Sequence, residues 1–166
     1  MRRRTAHSAA FTLLELVLVL VLLTTVLAMA APSMRGWSRS TQLKDVAREF
    51  IAVANLARTQ AISTGKVHRL MVDPSNRRYW LTVQEGQTFV DYPSDLGRPD
   101  ALSEQYAIQW APAPGQPARQ FIDFYPTGRS DLATIRFESV NGGDAFEVAA
   151  QTPTEGFRLV TPGANP

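Results

Sequence analysis

The chain has 166 residues, enough for one domain of ordinary size plus an appendage. Apolar residues make up 45% and charged residues 19%, which supports a packed core, and the absence of cysteine excludes disulfide frameworks, thiolate metal sites and cysteine nucleophiles together. Arg2, Arg3 and Arg4 supply three of the 17 basic side chains; without them 14 basic side chains face 15 acidic ones, so the basic pI is a topology signal, not a field that steers phosphate.

From Ala10 to Ala31 the only charge is Glu15. As a helix this run extends roughly 33 Å at about 1.5 Å per residue, near the hydrocarbon thickness of a bilayer. Three readings fit it. One is a plain signal anchor. The second is a secretory signal peptide, with Ala28-Met29-Ala30 as its cleavage site. The third is a short basic leader cut just before the apolar run, which then stays on the protein. Glu15 helps to choose, because a carboxylate inside an apolar span costs about 2.5–3.5 kcal/mol and calls for a partner. Cleavage before Phe11 would create an amine four residues away, and amine and carboxylate can neutralise each other across neighbouring helices.

Ala10-Phe11-Thr12-Leu13-Leu14-Glu15-Leu16 resembles the type IV prepilin cleavage and methylation motif, with Ala10 standing where Gly is usual. The resemblance implies cutting between Ala10 and Phe11 by a prepilin peptidase, N-methylation of Phe11, and pairing of Glu15 with a neighbouring subunit's amine during assembly. Pro32 falls where such proteins often kink the long helix, and a ring without an amide hydrogen has that effect. Trp37 fits an interfacial belt.

From about Ser40 to Ser63, Leu43, Val46, Ala47, Phe50, Ile51, Ala54, Ala57 and Ala61 recur at helical spacing as one apolar stripe, which predicts an amphipathic helix packed on the head's own sheet. Gly65 is placed as its C-terminal stop. Beyond it the period changes to short strands: 67–72 and 79–83 as a hairpin about Asp73-Pro74-Ser75-Asn76, then 89–92, 106–110, 121–125, 134–139, 146–150 and 157–160. Asn141-Gly142-Gly143 is a strong hairpin turn. The Pro- and Gly-rich stretch 92–115 reads largely as loop, and Trp110 on its border is a candidate contact residue.

The helix end Leu56-Ala57-Arg58-Thr59-Gln60-Ala61-Ile62-Ser63-Thr64-Gly65, and Phe124-Tyr125-Pro126-Thr127-Gly128 in the head, resemble the H-type minor pseudopilins of type II secretion and related minor type IV pilins. The implied fold is α+β and pilin-like: a long N-terminal helix packed by its C-terminal half on an antiparallel β-sheet head. The implied organisation is a leader (1–10), a transmembrane assembly helix (11–31), its amphipathic continuation (32–65) and a β-rich periplasmic head (66–166). The implied localisation is a single pass through the inner membrane, N-terminus cytoplasmic, with other pseudopilins or pilins as filament partners. Two other readings stay open: a minor type IV pilin serving pilus assembly or DNA uptake, and an exported soluble protein cleaved after Ala30.

Nothing points to catalysis. His7 lies in the leader, and His68 sits in a strand without metal-ligand companions. Nucleophile-elbow, HExxH, P-loop and dinucleotide motifs are absent, so no enzyme activity, metal or cofactor is expected. Arg69, Arg77 and Arg78 form a small basic cluster about the first hairpin, the one place to look for nucleic-acid contact.

Overall fold

A computed structural model describes residues 12–112 and 119–160, with side chains for all of these except 28–40, 100 and 112. Two compact units result, residues 1–39 and 40–166. The helix α1 (Leu13–Thr64) enters both, and each unit is described by itself.

In the first unit the described side chains of α1, from Leu13 to Leu27, are all exposed. Thr24 and Thr25 return their hydroxyls to the carbonyls of Leu20 and Val21, so these two hydroxyls are satisfied within the helix.

In the second unit, nine strands follow among the described residues: β1 (His68–Asp73), β2 (Arg78–Glu85), β3 (Thr88–Asp91), β4 (Asp100–Ala101), β5 (Tyr106–Pro112), β6 (Phe121–Phe124), β7 (Ala133–Ser139), β8 (Ala145–Ala149) and β9 (Arg158–Val160). They form two antiparallel sheets, in keeping with the antiparallel β head expected. The first runs β3-β2-β1-β6, with β4 sharing the β3 side of β2; the second runs β5-β7-β8-β9. The sequence reading missed β4. Two residues cannot display a period, and they pair only because β2 offers Arg78 and Tyr79 as partners.

The apolar stripe of α1 faces this core. Leu43, Ala47, Phe50, Val53, Ala54, Ala57 and Ala61 are buried, with Val46 and Ile51 packed at its border. Phe50 is the hinge of the packing, because its ring meets Tyr79 of the first sheet at 5.2 Å and Phe137 of the second at 5.4 Å, both edge-on. The alternating burial of β1 and β7 sends Leu70, Val72, Ile135 and Phe137 inward. Asn55 ties the chain end to the helix: its side-chain oxygen accepts from the Phe157 N–H at 3.1 Å, and its amide donates to the Phe157 carbonyl at 3.3 Å.

Gly65 ends α1 as expected. Its φ of +69° is left-handed and its N–H donates to the Ala61 carbonyl at 3.1 Å. Trp110 is partly buried against the core rather than projecting as a free contact residue.

Candidate functional site

The site suggested by the sequence begins where α1 begins. Thr12 is its N-cap: the hydroxyl accepts from the Glu15 N–H at 3.2 Å, and the carbonyl accepts from the Leu16 N–H at 3.2 Å. Glu15 is thereby the third helical residue, at capping-box spacing from Thr12, and its negative charge suits the positive end of the helix. This role for Thr12 was legible as Thr-x-x-Glu before an apolar run, a signal the sequence reading passed over. Ala10 and Phe11 lie outside the described residues. Pro32 lies within the bounds of α1, but its side chain is outside those described.

Among the described residues, no helix is long and apolar enough to cross a membrane. The described apolar side chains from Leu13 to Leu27 cover roughly 22 Å of axis, less than the ~30 Å hydrocarbon core. The run continues in sequence to Ala31, where side chains are not described.

In the head, Phe124, Pro126 and Gly128 form one device. Phe124 is fully buried and its ring meets Phe157 at 5.9 Å. The chain then reverses over Tyr125-Pro126-Thr127-Gly128: the Gly128 N–H donates to the Tyr125 carbonyl at 2.9 Å, and the Tyr125 N–H donates to the Arg129 carbonyl at 2.8 Å. Pro126 has the φ that the second turn position requires. Gly128 has φ +77°, and a Cβ there would lie 3.3 Å from Ile62 Cδ1 of α1, so both conformation and space favour glycine. The motif is a turn docked on the end of the helix.

The basic cluster does not form as expected. Arg69 is turned into a fork against Asp123, with Nε to Oδ1 at 2.7 Å and Nη2 to Oδ2 at 2.9 Å. Its guanidinium lies between the rings of Phe89 and Phe121, 3.7 and 3.8 Å from their centroids. A cation so neutralised and stacked is withdrawn from phosphate, which removes the central member of the proposed nucleic-acid contact. Pairing of β1 with β6 sets Arg69 opposite Asp123 across 54 residues of chain, a juxtaposition no local pattern announces. Arg69→Lys keeps the charge but loses both fork and stack, and should lower stability by about 1–2 kcal/mol. Urea unfolding of the full chain in detergent, followed by tryptophan fluorescence, checks this.

His68 is also no surface residue. It is 1% exposed, on the helix-facing side of β1, with Nδ1 3.1 Å from the Lys66 carbonyl. Burial, the largest cause, and the nearby Lys66 charge push its pKa below the ordinary 6.5, against the opposing effect of the Lys66 carbonyl. The unfolded imidazole therefore takes a proton first as pH falls. Stability due to His68 is complete above pH 6.5 and declines as pH drops from there towards the folded pKa. His68→Gln should flatten this decline, read as urea midpoints between pH 7.5 and 5.5. Among the described residues, no group of His, Asp and Glu could hold a metal ion.

A long helix that begins as an exposed apolar stretch with one carboxylate and packs its amphipathic C-terminal half on two antiparallel sheets is the architecture of the pilin class. Solved structures agree on the fold. The minor pseudopilin EpsH from the type II secretion system of Vibrio cholerae is 19% identical at a TM-score of 0.64, over 76% of this chain and 99% of that one. The type IV minor pilin FimU of Pseudomonas aeruginosa is 13% identical at 0.55, over 75% and 92%. Type II secretion system protein H of Xanthomonas campestris pv. campestris is 34% identical over 68 residues, 41% of this chain and 40% of that relative's length.

The family model described as type II transport protein GspH matches residues 46–153. The chain belongs to that family, the H-type minor pseudopilins that its helix end and head turn resemble.

Proposed function

We propose that this chain is a minor pseudopilin, a structural subunit of the type II secretion pseudopilus that assembles through its N-terminal helix and catalyses no reaction of its own. The observation that carries the reading is the start of α1: an uninterrupted exposed apolar surface with one carboxylate, Glu15, in its first turn, on a chain whose remainder has the pilin fold. Exposed apolar area of that extent needs lipid or other helices around it.

Processing between Ala10 and Phe11 releases the basic leader and leaves a methylated amine at Phe11. In the inner membrane, with the head periplasmic, Glu15 of one subunit pairs with the Phe11 amine of the next, and both charges are desolvated together. The helix then passes from lipid into the filament. Secretion is favoured over the type IV pilus reading by the family match, and the neutralised Arg69 weakens the case for DNA uptake.

The test is the mass and N-terminal sequence of the processed protein from membranes. A start at methylated Phe11 is the expected result. A start at Ala31 would free the head as a soluble exported protein and overturn the assembly role of Glu15.

A further inference from the structure

The hairpin tip between β7 and β8 carries a motif that neither the assembly helix nor the head turn uses. Residues 140–144 are all exposed, and Asn141 is followed by two glycines. Gly142 and Gly143 have φ of +77° and +112°, and a Cβ at either would meet nothing within 4 Å. Asn141 therefore stands in open space beside a peptide nitrogen that no side chain screens.

A side-chain amide so placed has a reaction open to it. Once the Gly142 N–H loses its proton to hydroxide, the nitrogen can attack the Asn141 side-chain carbonyl carbon. The new N–C bond closes a five-membered imide, the bond to the amide nitrogen breaks, and ammonia leaves with a proton from water. Water then opens the ring. Opening at the side-chain carbonyl gives aspartate; opening at the backbone carbonyl gives isoaspartate, with an extra methylene in the main chain. One water is consumed and one ammonia released.

The structure separates Asn141 from the other asparagines. Asn55 is held in α1, its amide donating to the Phe157 carbonyl and its oxygen accepting from the Phe157 N–H. The Asn76 amide donates to Asp73 Oδ2 at 2.7 Å, and the next nitrogen belongs to Arg77, which carries a long side chain. Asn165 precedes Pro166, whose nitrogen has no proton to lose. Asn141 precedes a glycine, and among the described residues its side chain makes no hydrogen bond. One bond restrains the attack, because the Gly142 N–H donates to the Ser139 carbonyl at 3.0 Å. At an exposed tip such a bond opens locally at little cost, so it slows the reaction without barring it.

We propose that Asn141 is a site of spontaneous deamidation, converted with age to isoaspartate and aspartate. Either product sets a negative charge close to Asp144 in the chain. Isoaspartate also lengthens the tip, which the Val140 N–H ties to the Gln105 carbonyl at 2.9 Å. The reaction needs no partner and stands apart from the assembly role.

Full-length protein in detergent micelles, held at mildly alkaline pH and then digested for peptide mass analysis, tests this. The peptide containing Asn141 should gain about 1 Da, oxygen replacing NH, and resolve into two products. The isoaspartate product should accept a methyl group from S-adenosylmethionine and isoaspartyl methyltransferase. Asn141→Gln keeps a side-chain amide at the tip but must close a six-membered ring, and should slow the gain about tenfold or more. A free peptide of residues 139–144 sets the pace without the folded turn. Asn141 wholly intact after that peptide has gone to completion shows that the Ser139 bond holds the turn closed, and overturns the proposal. Aspartate without isoaspartate, which would bypass the imide, or an equal gain in Asn141→Gln, which would put the reaction elsewhere, overturns it too.

Discussion

Glu15→Ala is expected to remove the chain from filaments while leaving the head folded. Burying an unpaired charge in an apolar span costs about 2.5–3.5 kcal/mol, and in the mutant the neighbour's amine is left in that position. At 1.36 kcal/mol per tenfold, incorporation should fall on the order of a hundredfold. Alanine keeps the backbone N–H that Thr12 caps, so the helix start survives the substitution. Among the described residues, no member of the buried core precedes Leu43, so the head's urea midpoint should not move. Recovery of the mutant with partner subunits at unchanged yield would sink the claim, and a shifted head midpoint would show that the effect is not confined to assembly.

Phe50→Ala should produce the largest loss of head stability, about 3–5 kcal/mol. The ring is fully buried and stands between Tyr79 and Phe137, so its removal leaves a cavity between the two sheets and deletes both edge-on contacts. Against a typical stability of roughly 5–15 kcal/mol, that is a third or more of the margin for many domains. Phe50→Leu, which refills most of the volume, should lose less than half as much. Equal midpoints for the two variants in urea would show that the sheets close over the gap and that Phe50 does not hold them together.

Much of the fold was legible before the structure. Eight of the nine strands stand within two residues of the positions that alternation and turn residues predict, and Gly65 ends the helix where its neighbours' spacing says it should. Thr12 and Glu15 are three residues apart, so the cap that joins them was written locally as Thr-x-x-Glu, although the reading of the apolar run passed over it. The head's long-range packing was not legible. His68 looked like an ordinary strand residue, and its burial depends on which face of β1 meets α1. Trp110 was a candidate contact residue only, and its packing against the core depends on how β5 joins the second sheet.

The sequence by itself determined the periods, the turns and the N-terminal apolar run with its single carboxylate. These are local properties: a pleat repeats every two residues, a helix every 3.6, and a turn needs particular residues at adjacent positions. Only the tertiary structure decided that the strands divide into two sheets, that β1 lies between β2 and β6, and that Arg69 meets Asp123. Strand pairing is chosen by the burial of whole faces and by contacts between residues far apart in the chain. A local pattern states which face is apolar without naming its partner.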